Sequence, residues 1–228
     1  MQIARRVILG VGAAGVAYGA FRYFGMDNGP NQLPSAALTS TAIAAPADDP
    51  RMGERSVGNA DAPVTVTEWF SLTCPHCAAF QAESFPGIKT QLLDTGKARI
   101  VYRDFPLDQV ALTAAMVARA LPPERYEPFI AALFQTQNRW AFARGVNSTD
   151  ELAKMAALAG MPRATFDATI ADQAFRNAIL KDQDVADKVY HVDATPTFIF
   201  NGPAQKDHRE SGGRTPDDFA KLVAAAAG

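Results

Sequence analysis

Apolar residues along this chain change their period several times, and each change marks an element. A continuous apolar run from Val7 to Phe21 follows Arg5-Arg6 and precedes Arg22. Residues 26–50 lose all period; Pro, Ala, Ser, Thr and Asn dominate, which reads as a flexible linker. Ala62-Pro63 then leads into Val64-Thr65-Val66-Thr67-Glu68-Trp69-Phe70, an apolar stretch of strand character. Pro75 stands where a helix would begin, because the N–H it lacks is one a helix leaves unpaired at that position. The helix is predicted to run to about Asp94, with Phe80, Phe85, Ile88 and Leu92 inward and a kink or break at Pro86-Gly87. Gly96 ends it, and residues 98–105 read as a second strand. The order to this point is β-α-β.

From residue 107 to 191 the period is helical. Val110, Ala114, Val117 and Leu121 recur on one face, and Tyr126, Phe129, Ile130, Leu133, Phe134 and Trp140 form an aromatic and aliphatic stripe that reads as core. Ser148 with Glu151 resembles a capping box opening a helix that carries Leu152, Met155 and Ala159. Gly160 stops it, Pro162 starts another with Phe166 and Ile170, and a longer helix covers about 173–190. Thr197-Phe198-Ile199-Phe200 is again an apolar strand, followed by an Asn201-Gly202 turn and a polar strand near residues 206–211. Thr215-Pro216-Asp217-Asp218 caps a last helix running through Ala226. The predicted fold class is α/β: residues 51–106 and 192–228 form β-α-β and β-β-α halves of one domain, and residues 107–191 are an all-helical insertion between them.

Composition narrows the function. The chain has 228 residues, 48% of them apolar, enough for a sizeable core. Lys plus Arg number 22 and Asp plus Glu 24, for a net charge of −2. No basic surplus points to nucleic acid, and no acidic run to a solvating tail. Residues 1–25 carry a charged n-region and an apolar h-region of secretory type, with Arg5-Arg6 read as ordinary n-region charge. Ala42-Ile43-Ala44 offers a late cleavage site; alternatively the run extends to Phe24 and stays as an N-terminal membrane anchor. Either version exports the domain to a compartment where disulfides persist.

The chain has two cysteines, in Cys74-Pro75-His76-Cys77, at the junction of the first strand and its helix. A pair with this spacing can close a small disulfide ring and open it again, a two-electron redox centre. Cys74 at a helix N-terminus meets unpaired backbone N–H groups and the positive end of the helix dipole, both favouring the thiolate. Pro75 fixes the turn, and His76 adds a positive or hydrogen-bonding group. Cys74 is expected to be the exposed, attacked sulfur and Cys77 the buried, resolving one. A structural zinc site needs four ligands, and His76, His191 and His208 show no ligand spacing with the cysteines, so neither a metal nor a cofactor is called for. Glu68, among apolar and aromatic neighbours, is either a buried carboxyl able to relay the Cys77 proton or a strand-edge carboxylate in solvent. Pro196, in Thr195-Pro196-Thr197, is either cis, freeing a backbone group to pair with a substrate peptide, or a plain strand-start proline.

With these residues assembled, the chain resembles the DsbA family of thioredoxin-fold thiol:disulfide oxidoreductases, from about residue 52 to the end. The resemblance rests on Cys74-Pro75-His76-Cys77, Thr195-Pro196-Thr197 and Glu68, with the lead-in Val57-Gly58-Asn59-Ala60-Asp61-Ala62-Pro63-Val64 and the later Phe198-Ile199-Phe200-Asn201-Gly202. It implies a periplasmic oxidase, with Pro196 cis and facing the cysteines, Thr195 and Pro196 binding substrate, and Cys74 forming mixed disulfides with unfolded exported chains. It also implies a quinone-linked membrane reoxidant of the DsbB type. No dimerisation region is visible, so the chain reads as a monomer, and a reductase or isomerase of the same fold, or a peptide-binding holdase, stands as the alternative. The approach to Pro196, Tyr190-His191-Val192-Asp193-Ala194, lacks the family's usual glycines, which would put His191 in a left-handed helix cap.

Overall fold

The computed structural model describes residues 49–228. The predicted leader, the Ala42-Ile43-Ala44 motif and the expected linker up to residue 48 lie outside the described residues. The last two linker residues behave differently from expectation. Asp49 caps a short 3-10 turn, Pro50–Met52, by accepting the Arg51 N–H at 2.9 Å. Arg51 pairs with Asp172 at 2.7 Å, and its guanidinium lies over the Phe175 ring. A capping carboxylate, a proline with fixed φ and a cation suffice to set this turn against the insertion.

Among the described residues one mixed sheet has the order β1-β3-β2-β4-β5: β1 (Arg55–Gly58), β2 (Val64–Phe70), β3 (Ala98–Asp104), β4 (Thr197–Asn201) and β5 (His208–Ser211). β2 and β3 are parallel, with Glu68 opposite Tyr102. β4 lies antiparallel on the other side of β2, with Phe198 opposite Glu68, and β5 pairs antiparallel with β4. β1 was not predicted. It is short and polar, and what makes it a strand is its antiparallel register with β3, Val57 opposite Ile100. It ends at Gly58, whose φ of 101° is one that L side chains rarely adopt and where a Cβ would crowd the Ala98 carbonyl at 3.0 Å.

The crossover from β2 to β3 is helical throughout but irregular. α1 (Pro75–Ala79) and α2 (Phe85–Ile88) alternate with π-helical turns at Phe80–Ser84 and Lys89–Leu93. Pro86 lacks the N–H that an α-helical ladder would use, and the predicted kink or break takes the form of widened turns on either side of α2. Phe80, Phe85, Ile88 and Leu92 are buried as expected. Six helices then lie between β3 and β4: α3 (Gln109–Ala120), α4 (Pro123–Gln135), α5 (Gln137–Trp140), α6 (Ser148–Leu158), α7 (Arg163–Ala171) and α8 (Gln173–Tyr190). The chain closes with α9 (Pro216–Ala227), capped by the Thr215 hydroxyl. The cap of α6 is Asn147, whose side chain accepts the Thr149 and Asp150 N–H groups; Ser148 of the expected capping box is the first helical residue. His191 ends α8 in the left-handed region, at φ 53° and ψ 42°. The architecture is a thioredoxin fold with an all-helical insertion.

Each face of the sheet has its own cover. Val64, Val66 and Phe70, with Ile100, Tyr102, Phe198 and Phe200, meet Phe80, Ile88 and Phe219 from the flanking helices and Tyr126, Ile130, Leu133 and Trp140 from the insertion. Trp69 and Ile199 point the other way and meet Ala186 of α8 and Val192 beyond it. Insertion and sheet are also joined by charge. Arg119 of α3 pairs with Asp104 at the end of β3, both almost fully buried. The remaining guanidinium donors reach the carbonyls of Gly53, at 3.3 Å, and Tyr102, at 3.4 Å.

A buried pair broken on one side leaves a desolvated charge behind. Arg119→Met is therefore expected to lower unfolding free energy by about 3–5 kcal/mol in denaturant melts, and the double replacement Arg119→Met, Asp104→Leu to restore most of the loss.

Candidate active site

The site is built where β2 stops and α1 starts. Four buried residues, Ser71-Leu72-Thr73-Cys74, make the turn. The Cys74 N–H bonds the Ser71 carbonyl at 3.0 Å, and the Ser71 hydroxyl lies 3.2 Å from that of Thr73. The Thr73 hydroxyl donates to Asp108, the N-cap of α3, at 2.7 Å. The Gln137 carboxamide donates to the carbonyls of Leu72 and Cys74. Cys74 is itself the N-cap of α1, in extended conformation, with Pro75 as the first helical residue.

Both thiols are free. The Cys74 thiol is held at about 5, far below the 9.0 of a free cysteine. The largest cause is the Cys77 thiol acting as donor; the Thr195 hydroxyl and the backbone N–H groups of Cys77 and His76 add to it, against the opposing effect of burial. These donors sit where a helix leaves its N–H groups unpaired. Cys77 moves the other way, well above 9.0, because it is buried and gives its proton toward Cys74. One correction concerns exposure. Cys74 was expected to be exposed and is only 4% so, against 1% for Cys77. The loop carrying Thr195 lies against it, with the Thr195 carbonyl 3.3 Å from Sγ. The Thr195–Pro196 bond is cis. The Thr195 hydroxyl is buried and makes no other hydrogen bond, so it is free to donate to the Cys74 sulfur.

The His76 ring is exposed and makes no hydrogen bond among the described residues; the part of His76 that reaches Cys74 is its backbone N–H. Glu68 is 2% exposed, with one carboxyl oxygen unpartnered. Burial raises its carboxyl to about 8, so it is neutral at pH 7. A charge on Glu68 would push the Cys77 thiol still higher, which places the two within electrostatic reach. The structure thus brings Glu68, Cys74, Cys77 and Thr195 together, leaves the His76 ring outside, and adds Gln137, Thr73 and Asp108. The sequence held one signal for Gln137: a carboxamide within an otherwise apolar helical stripe. Among the described residues no group of three or more His, Cys, Asp or Glu side chains is placed to hold a metal ion.

A family model described as thioredoxin matches residues 51–224. The chain belongs to the thioredoxin family. It is similar in sequence and structure to DsbA-like proteins. α-DsbA1 of Wolbachia pipientis superposes with a TM-score of 0.69 at 29% identity, covering 76% of this chain and 90% of that one. The thiol:disulfide interchange protein DsbA of Bordetella parapertussis is 26% identical over 185 residues, 75% of this chain and 82% of that protein. A Rickettsia prowazekii protein, provisionally named a protein-disulfide oxidoreductase, is 29% identical over 147 residues, 64% of this chain. The chain spans about half the length of such Rickettsia relatives, 53% in that case.

Two opposite pH dependences follow from the site. In the reduced protein the Cys74 thiolate contributes stability that is full above pH 9.0 and is lost as pH falls to about 5. Glu68 contributes stability that is full below pH 4.5 and is lost as pH rises through about 8. In the oxidised protein the thiolate contribution is absent, so stability is expected to fall across the Glu68 window. Glu68→Gln should flatten that slope and gain about 2–4 kcal/mol at the alkaline end in denaturant melts. Thiolate ultraviolet absorbance of the reduced protein should titrate near pH 5.

Proposed function

We propose that this protein is an enzyme, a thiol:disulfide oxidoreductase of the DsbA type, working as an oxidase that introduces disulfides into exported proteins through the Cys74–Cys77 couple. The observation that carries this reading is the placement of two free thiols at one helix N-terminus, Cys74 as the N-cap of α1 and Cys77 buried within its first turn, which displaces them in opposite directions, Cys74 down and Cys77 up. A dithiol whose attacked sulfur is stable as a thiolate favours its reduced form, and its disulfide is correspondingly oxidising.

In the oxidising direction a substrate thiolate attacks Cys74 Sγ of the disulfide. The S–S bond breaks, the electron pair goes to Cys77, and Cys77 takes up a proton, for which neutral Glu68 is the buried donor. A second substrate thiolate then attacks the substrate sulfur of the mixed disulfide and expels Cys74 as a thiolate. The substrate leaves with a disulfide, and the couple has gained two electrons. Glu68, left as a carboxylate, regains its neutral form by taking up one proton from solvent before the next turnover. Thr195, beside Cys74 and before cis Pro196, supports a role in binding the substrate backbone in extended form. Pro75 shapes the turn that presents Cys74, and His76 contributes through its N–H.

The sequence pattern of residues 1–25 and the DsbA-like relatives support a periplasmic location, a substrate class of unfolded exported chains with free thiols, and reoxidation by a DsbB-type, quinone-linked membrane protein. Among the described residues no helix is long and apolar enough to cross a membrane. One observation favours a second reading. A structure titled as a protein-disulfide isomerase, from Novosphingobium aromaticivorans, aligns with a TM-score of 0.62 at 26% identity, covering 75% of this chain and 97% of that one. An isomerase or reductase would run the same couple from its reduced form.

Equilibration with glutathione buffers separates them: an oxidase is expected near about −120 mV, whereas a potential near about −270 mV would reverse the direction. Cys74→Ser is expected to abolish exchange with a reduced, unfolded substrate. Cys77→Ser should accumulate mixed disulfides on non-reducing gels, and failure to trap any would remove its resolving role.

A further inference from the structure

The insertion grips the cysteine turn through two polar side chains. Asp108 accepts the Thr73 hydroxyl with one oxygen and caps the Ala111 N–H with the other, each at 2.7 Å. Gln137, 5% exposed, donates to the Leu72 carbonyl at 2.9 Å and the Cys74 carbonyl at 3.1 Å. Gln137 reaches the turn for a local reason. α4 gives way at Thr136, at φ −111° and ψ 15°, where the hydroxyl folds back on the Ala132 carbonyl and the chain restarts as α5. Residues 137 and 140 then turn inward together, and Trp140 fixes the new helix by donating to the Leu133 carbonyl at 2.8 Å. An apolar side chain would fill position 137 at lower desolvation cost. A buried carboxamide is offset only where its hydrogen bonds are made, and these go to the two carbonyls that bracket Thr73-Cys74.

We propose that Gln137 is a positioning residue for thiol exchange: from the insertion, it fixes the Leu72 and Cys74 peptide planes and so the direction in which Cys74 Sγ faces the N–H groups of α1. This rests on the disulfide-exchange reading of the site. Without the carboxamide the Cys74 carbonyl keeps its bond from the Ala78 N–H, at 3.2 Å, but the Leu72 carbonyl loses this donor, and of the two insertion side chains only Asp108 still holds the turn, through the Thr73 hydroxyl. The sulfur then swings relative to the N–H groups of His76 and Cys77. The insertion is therefore part of the redox centre and not only a cover beside it.

The test uses the full chain with Gln137→Met, which keeps the volume and removes the donor, and Gln137→Glu, which keeps the shape. Phe166→Leu, in the core of α7, serves as a stability control. Thiolate absorbance against pH, thermal midpoint and exchange with glutathione are measured on each. Both Gln137 variants are expected to titrate about half a unit to one unit higher than the wild type, with glutathione exchange slowed several-fold. The control should lose thermal stability with no shift in titration. Wild-type titration curves in both Gln137 variants, or an equal shift in the control, would overturn the proposal and leave Gln137 a packing residue. Failure of the exchange reading itself would look different: the wild type would titrate low yet exchange nothing with glutathione.

Discussion

The rest of the site depends on one constraint: the first N–H groups of α1 have no partners within the helix, and Cys74 is the residue that stands before them. A side chain there is chosen by its ability to accept. A neutral thiol accepts poorly and a thiolate accepts well, so the helix end does through geometry what a fixed positive charge would do elsewhere. Pro75 sharpens this, since the N–H it lacks is one of the unpaired set and those of His76 and Cys77 remain directed at the sulfur. The Cys77 thiol completes the arrangement by donating along the same line. Lowering one sulfur and raising its neighbour are thus a single effect seen from two ends.

That arrangement requires a rigid turn, and the turn is supported from three directions. β2 brings it in as the central strand of the sheet, with β3 and β4 fixing the register on either side. The loop before β4 sets Thr195 against Cys74. The insertion supplies Asp108 and Gln137 from beneath. The buried Arg119–Asp104 pair matters here because it anchors α3, and with it Asp108, to the end of β3. Such a pair adds little net stability over an apolar one, but its geometry admits few alternatives. It sets the seating of the insertion on the sheet, and the apolar cluster around Tyr126, Leu133 and Trp140 fills in behind it.

Glu68 belongs to the same logic in reverse. The strand period that buries Val64, Val66 and Phe70 buries position 68 as well, and a carboxyl there has no cation beside it to lower its pKa. It is kept neutral by burial alone. The site therefore holds one group ionised below its ordinary pKa and one protonated above it, and neutral pH falls between the two. That pairing suits proton movement between a carboxyl and a thiol.

Much of this was legible in the sequence. The apolar strand stretches at 64–70 and 197–200, the helical period through the insertion and the turn residues between them carried the order of elements, because these patterns record which residues meet the core. Cys74, Cys77 and the helix start at Pro75 carried the candidate site, because its geometry is local to one turn. The left-handed cap at His191 was also readable, from the missing glycines. Other features belong to the tertiary structure. β1 exists because β3 offers an edge, and no four-residue polar segment announces that. Asn147 caps α6 in place of Ser148 because the cap is whichever side chain the incoming backbone aims at the free N–H groups. Cys74 is covered because Thr195, 121 residues away in sequence, lies against it. Gln137 matters because a helix break at Thr136 turns it toward two carbonyls 63 and 65 residues distant. Local periodicity determines which residues face inward; which of them meet is decided only when separate elements pack, since a hydrogen bond across the fold leaves no mark on the spacing of either partner.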